Sequence, residues 1–219
     1  MVSDILLFSG GLDSFIAYDI LNKPQTLYFD TGSRYCEKEL EAVRKIIPTT
    51  IINESLCLTD YEEVNAHIPY RNLLFAIQAC KYSDNIWMGG LLDDNVGDKT
   101  EESFKAMSYL LSKLHGRNIQ IRSPFWEMTK IDIVQLYKEK HPKTYEADLL
   151  QTVSCYSASP EGYCGQCASC FRKATALYSI GIKLAFTNRD LIDTYRIKAT
   201  KHEYHTLRNK AILTYIKTL

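Results

Sequence analysis

The sequence predicts an α/β protein: a doubly wound, mainly parallel five-stranded sheet, followed by a small metal-binding helical region. Three features predict it. Short apolar runs alternate with longer segments of helical period over the first 140 residues, as in a parallel sheet covered on both faces. The first run feeds Ser9-Gly10-Gly11-Leu12-Asp13-Ser14, which opens a helical segment. Four cysteines then crowd together after residue 150. The expected division is an α/β domain carrying the glycine stretch at 1–145 and a cysteine-bearing loop with C-terminal helices at 146–219.

Residues 4–8 read as the first strand and 15–21 as the core of the first helix. Residues 25–29 give a second strand that ends at Asp30-Thr31-Gly32-Ser33-Arg34. Over 37–47, Leu40, Val43, Ile46 and Ile47 share one helical side, and Pro48 stops the helix. Residues 49–52 form a third strand and 53–70 an irregular stretch. The apolar run 72–80 is a buried helix, and 85–90 a fourth strand running into the acidic loop 93–98. Phe104, Met107, Leu110, Leu111 and Leu114 stripe a helix over 101–114. A fifth strand at 119–121 precedes Pro124, and 129–140 is a further helix. In such sheets ligands bind beyond the carboxyl ends of the strands, at the topological switch point. The polar loops after the first, second and fourth strands all fall on that edge.

The glycine stretch has the layout of an anion site. Gly10 and Gly11 can take positive φ and admit a ligand close to the backbone. The helix that follows presents unpaired N–H groups and a positive dipole end, and Ser9 and Ser14 add hydroxyls. The stretch lacks the lysine of G-x-x-x-x-G-K-[ST] and does not fit G-x-G-x-x-G. A purely structural turn is the alternative.

With 26 basic and 26 acidic residues the net charge is zero, so no global field announces a polyanionic partner. No apolar run reaches membrane-spanning length, and a cytoplasmic protein is expected. Cys155, Cys164, Cys167 and Cys170 form C-x8-C-x2-C-x2-C. Two-residue spacers bend successive thiolates onto one ion, and four thiolates suit tetrahedral zinc; an iron–sulfur cluster is the alternative. Because protein fills all four positions, the ion is structural. Arg172 and Lys173 are expected to offset its negative charge. Cys36, Cys57 and Cys80 have no partner pattern.

The glycine stretch resembles the SGGxDS pyrophosphate loop of the PP-loop ATPases, and the cysteine spacing resembles one branch of them, the 7-cyano-7-deazaguanine synthases of the QueC family. Further pieces resemble that branch in the same order: Asp30-Thr31-Gly32, 69–75, Met88-Gly89 with Asp93-Asp94, Pro124 with 129–132, and 165–170. The resemblance runs from about Ile5 to Leu177. It implies a PP-loop (HUP-like) fold and an ATP-dependent carbon–nitrogen ligase. This enzyme converts 7-carboxy-7-deazaguanine and ammonia into 7-cyano-7-deazaguanine (preQ0), with structural zinc and Mg²⁺. By position, Phe8, Ser9, Gly10, Gly11, Leu12, Asp13 and Ser14, with Asp30 and Gly32, would bind ATP; Asp13 could instead cap the helix. Lys130, Arg71 and Asp13 are the catalytic candidates, with surface salt bridges as the plainer alternative for the two cations. Arg71, Asn72, Gly89, Asp93, Asp94 and Asp98 are candidates for the substrate. The three acids would hold Mg²⁺ or the guanine-like face, or form a solvated loop.

The chain departs from the family at Gly32-Ser33, where a Gly-Gln pair is expected, and in the shortened loop Val96-Gly97-Asp98-Lys99. Substrate identity is the part this puts in doubt. An enzyme that stops at the amide, one that joins a deazaguanine to a protein or other nucleophile, and a tRNA-modifying PP-loop enzyme are the alternatives. Residues 196–219 carry Arg196, Lys198, Lys201, Arg208, Lys210 and Lys217 against Glu203 alone. This tail is either a nucleic-acid-facing surface or an amphipathic helix packed by Tyr204, Leu207, Ile212 and Tyr215 at a homodimer contact.

Overall fold

A computed structural model describes residues 4–94, 96–157 and 163–219. Its centre is one sheet of five strands, β1 (Ile5–Leu7), β2 (Gln25–Phe29), β3 (Ile51–Asn53), β4 (Asn85–Trp87) and β5 (Gln120–Arg122). The order is β3-β2-β1-β4-β5 and every pair is parallel. The chain runs outward from β1 through β2 to β3, then returns to the other side of β1 as β4. The switch point therefore lies between β1 and β4, at the end of the strand that carries the glycine stretch.

All five predicted strands are present. The third starts at Ile51 rather than Thr49, because Thr50 turns back: its Oγ1 donates to Ile47 O at 2.8 Å. Helices α1 (Leu12–Ile20), α2 (Cys36–Ile46), α3 (Arg71–Ala79), α4 (Glu101–His115) and α5 (Lys130–Lys140) connect and cover the strands. Their ends follow local chemistry. Thr129 and Asp132 form a reciprocal capping box at α5, and Thr100 Oγ1 accepts from Ser103 N at α4. Gly116 closes α4 in the left-handed conformation.

One face of the sheet packs Phe8, Leu12, Ile16, Phe125 and Ile133 against Leu177. The opposite face packs Phe29, Ala76, Phe104, Leu111 and Ile121. After the short helix α6 (Tyr145–Leu150) come α7 (Ala168–Tyr178), α8 (Arg189–Thr200) and α9 (Thr206–Ile216). These share a third core of Phe171, Phe186, Ile192, Ile212 and Tyr215 beside Cys155 and Cys170. Phe171 stacks on Tyr195 at 4.4 Å, and Tyr215 OH donates to Leu184 O at 2.7 Å. Between the regions, Val153 N donates to Gly10 O at 2.9 Å. The C-terminal region is thereby tied to the glycine stretch itself. Among the described residues no helix is long and apolar enough to cross a membrane.

Candidate active site

The glycine stretch wraps the start of α1. Gly10 has φ +68°, and a Cβ there would lie 2.8 Å from Ala42 Cβ on α2. Gly11 does not take positive φ; it is the N-cap of α1 in extended conformation. Its need for glycine is space, since a Cβ would sit 3.1 Å from Ser9 Oγ and 3.3 Å from Val153 O. Ser14 Oγ donates to Gly11 O at 3.1 Å and lies 3.4 Å from Ser9 Oγ. Asp13 does not cap the helix. It points across the cleft to Lys130 Nζ at 2.8 Å and Lys99 Nζ at 3.9 Å. Burial alone would raise its pKa, but the two ammonium groups outweigh that and hold it below the ordinary value.

Two cavities open on either side of this loop. One is walled by apolar side chains such as Phe29, Phe75, Met88 and Phe104, with Gly89 at the end of β4. The other is walled by Lys130, Arg172 and Arg208 with Tyr156 and Tyr195. Ser9, Asp13, Ser14, Glu39, Arg71 and Lys99 line both. The two cavities form one cleft with an apolar half, a cationic half and the glycine loop between. Arg71, at the start of α3, donates from Nη1 to Tyr35 OH at 2.8 Å, and Tyr35 packs against Tyr156 with centroids 5.7 Å apart.

The acidic loop is not solvated at its start. The Asp93 and Asp94 side chains are 3% and 1% exposed. Asp94 binds Lys99 Nζ at 2.8 Å and Arg172 Nη2 at 2.7 Å, and accepts from Leu91 N. Burial opposes its charge, but Lys99 and Arg172 drive its pKa far down. Asp93 Oδ1 accepts from Lys130 N at 3.2 Å, the first residue of α5. Its Oδ2 faces Arg172 and Arg208 at 3.6 and 3.8 Å. Asp98 is occupied differently: it accepts from Asn72 N and Nδ2 at 3.0 and 2.9 Å, capping α3. All three carboxylates are thus bound by protein donors, and the arrangement does not fit a dedicated divalent-cation site. Asp30 Oδ1 accepts from Gly32 N at 3.0 Å, which fixes the left-handed turn at Gly32 after β2. Neither residue lines the cleft.

The four cysteine sulfurs of residues 155, 164, 167 and 170 lie within 4.8 Å of one another. Cys164 and Cys170 are 3.8 Å apart, matching the roughly 3.8 Å edge of a tetrahedron with metal–sulfur bonds of about 2.3 Å. The set fits a metal ion such as zinc. Of the two expected counter-charges, Lys173 is close enough to feel the charge of Cys170 and Arg172 is placed elsewhere. Arg172 turns away to Asp93 and Asp94, and Lys173 Nζ donates to Thr152 Oγ1 at 2.9 Å. It is Lys38 of α2 that approaches the cluster, 3.8 Å from Cys155 Sγ. Side chains on successive helical positions diverge by about 100°, so proximity in sequence to Cys170 does not put Arg172 at the ion.

Sequence reasoning brought Asp13, Lys130 and Arg71 to the cleft. It missed Glu39, Lys99, Tyr195 and the inward turn of Arg208, whose guanidinium donates to Asp93 O at 3.0 Å and lies 4.1 Å over the Tyr204 ring. None of these carried a signal in the sequence: Glu39 stands near Ala42 and Val43, which a Cβ on Gly10 would meet, but only the fold shows that contact.

The model of the family described as "Queuosine biosynthesis protein QueC" matches residues 48–181, more than half of the chain. Curated proteins similar to it include the 7-cyano-7-deazaguanine synthase of Desulfotalea psychrophila, 29% identical over 212 residues that cover 81% of this chain and 94% of the relative. That of Methanocaldococcus jannaschii is 26% identical, with 82% and 96% covered. The 7-cyano-7-deazaguanine synthase 2 of Desulfitobacterium hafniense is 27% identical, with 84% and 91% covered.

Proposed function

The chain belongs to the QueC family, and from that premise we propose that it makes 7-cyano-7-deazaguanine from 7-carboxy-7-deazaguanine, ammonia and ATP. A carboxylate is a poor electrophile, so the first ATP converts it into an acyl adenylate with release of pyrophosphate. Ammonia displaces AMP to give the amide. A second ATP adenylates the amide oxygen, and loss of AMP leaves the nitrile. Such chemistry is driven by positioning and by charge stabilisation rather than by a covalent nucleophile.

The observation that carries the proposal is the glycine loop set between an apolar and a cationic half of one cleft. The apolar half suits an adenine ring, the loop and the N-terminus of α1 suit the phosphates, and the cationic half suits the acid. Lys130 and Lys99 stand beside Asp13, where charge develops on the departing pyrophosphate. Arg71 serves the same cleft from the opposite side. Mg²⁺ enters with the ATP phosphates, since the acidic loop is already neutralised by protein cations. Zinc at the four cysteines is structural, holding α7 and with it Arg172. Arg208 is turned into the cleft, so this residue of the basic tail serves the small-molecule site before any nucleic acid.

One incubation tests the proposal. Purified protein with ATP, ammonium and 7-carboxy-7-deazaguanine should yield AMP, pyrophosphate and the nitrile, read by mass spectrometry. Accumulation of the amide alone would move the end point to the amide. ATP cleavage to ADP, or AMP formed independently of the acid, would overturn the reading.

A further inference from the structure

We infer that Glu39 is the proton acceptor for nitrogen, the catalytic base that frees ammonia from ammonium and later strips the amide nitrogen. The inference rests on the reading above and concerns a step that the phosphate loop cannot perform. In each half of the reaction two protons must leave nitrogen. Ammonium gives one proton to the Glu39 carboxylate, and the freed ammonia forms a C–N bond as the C–O bond to AMP breaks. The second proton then leaves the new amide nitrogen. After the second adenylation the same nitrogen loses one proton to become an imidate. It loses another as the C–O bond to AMP breaks and the nitrile forms. Each proton passes from Glu39 to water in the open cleft.

The argument is one of elimination and placement. Among the described residues two carboxylates, Asp13 and Glu39, line the cleft. Asp13 is bound to Lys130 and faces Lys99, and an ion-paired carboxylate is a weak base. Asp93 and Asp94 lie behind the wall with their cations. Glu39 makes no ion pair among the described residues, and the Tyr28 hydroxyl donates to its carboxylate at 3.2 Å. It lies one turn past Tyr35, the N-cap of α2, and one turn before Val43, whose N lies 3.2 Å from where a Cβ on Gly10 would sit. That puts the carboxyl beside the glycine loop, lining both halves of the cleft.

The groups that face Glu39 are Arg71 from α3, Tyr28 from β2, Asp30 after β2 and Tyr35 at the N-cap of α2. Burial raises its pKa to about 7, with Asp30 adding to the rise and Arg71 and the Tyr28 hydrogen bond opposing it. A base poised near neutral pH is matched to taking and returning protons there.

The test compares Glu39→Gln and Glu39→Asp with the unaltered chain in two assays. Acid-dependent exchange of pyrophosphate into ATP requires no proton from nitrogen, whereas amide formation from ammonium does. At pH 7 the ratio of amide formation to exchange should fall about 100-fold in the glutamine variant. The deficit should shrink about tenfold per pH unit as free ammonia rises, and the aspartate variant should recover part of the ratio. A proportional fall in both assays, or an unchanged ratio, would overturn the inference. Infrared titration of ¹³C-labelled glutamate carboxyls, compared with the glutamine variant, gives a readout independent of product. A Glu39 midpoint near 7 supports the base, and one near the ordinary 4.5 overturns it. If the unaltered chain makes neither amide nor nitrile, the proposed function fails, and the titration still decides the state of Glu39.

Discussion

The two walls of the cleft bring charge to the same space by different means. The sheet-edge wall, from Phe8 to Ser14, works through backbone: a left-handed Gly10, an extended Gly11 and the open N-terminus of α1. Its geometry is set by β1 and by contact with α2. The C-terminal wall works through long side chains, Arg172 from α7 and Arg208 from α9, aimed by Asp93 and Asp94. Its helices share a small core next to the cysteine cluster. A backbone site is held by the sheet; a side-chain site is only as firm as the scaffold under it. The first wall should therefore survive damage that dissolves the second.

The largest effect expected is from Cys164→Ser or strong chelation. Structural zinc contributes roughly 10–16 kcal/mol in small metal-dependent domains, comparable with the roughly 5–15 kcal/mol that stabilises a whole domain. The region after Leu150 should unfold, Arg172 and Arg208 should leave the cleft, and product formation should stop while the sheet persists. Limited proteolysis checks this: cleavage confined to the C-terminal region is expected, and full protease resistance with full metal content would break the comparison.

Next comes Lys130→Met, which reaches across the walls by stranding Asp13. Truncating one partner of a buried ion pair costs about 3–5 kcal/mol. Lys99, 3.9 Å away, offsets part of that cost. Urea unfolding should show the loss and adenylation should collapse with it. A change below about 1 kcal/mol would mean that the pair behaves as a solvated surface bridge.

How much of this was legible follows the same division. The strands, the glycine loop and the cysteines announce themselves locally, because apolar runs, Gly-Gly and C-x2-C are short-range patterns. Arg172 was visible as a cation, but was expected at the cysteines. Its real partners lie about 80 residues earlier in the chain, as a contact across α7 that no spacing encodes. Arg208 counted as tail charge because nothing near it in sequence shows that α9 folds back on Asp93. Glu39 sits among Glu37, Lys38 and Glu41, which look alike until the helix is oriented. The family resemblance supplied the chemistry, whereas the neutralised state of Asp93 and Asp94 required the fold.

Gly10→Ala sharpens the comparison from the side of the backbone wall. A left-handed non-glycine residue costs about 1–2 kcal/mol, and the added Cβ would meet Ala42 Cβ at 2.8 Å, so the loop must shift. The protein should stay folded with its metal, but ATP affinity should fall at least about tenfold, measured by calorimetry. Gly97→Ala, where a Cβ meets nothing within 4 Å, serves as the control and should bind ATP normally.

The smallest effect expected is a gain, and it separates Glu39 from the ion-paired acids around it. Its folded-state pKa, raised to about 7 from 4.5, means that the native state holds a proton the unfolded chain has lost. Stability therefore falls as pH rises from 4.5 through 7 and levels off above it. Glutamine does not titrate. The melting temperature of Glu39→Gln should thus match the unaltered chain near pH 4.5 and exceed it at pH 8, by about 2–4 °C for each kcal/mol recovered. Asp13→Asn should behave oppositely, losing stability at neutral pH, because its cations favour the charged form. A Glu39→Gln gap that is flat with pH would place Glu39 among the solvated acids and remove the cleft carboxylate that, among the described residues, makes no ion pair.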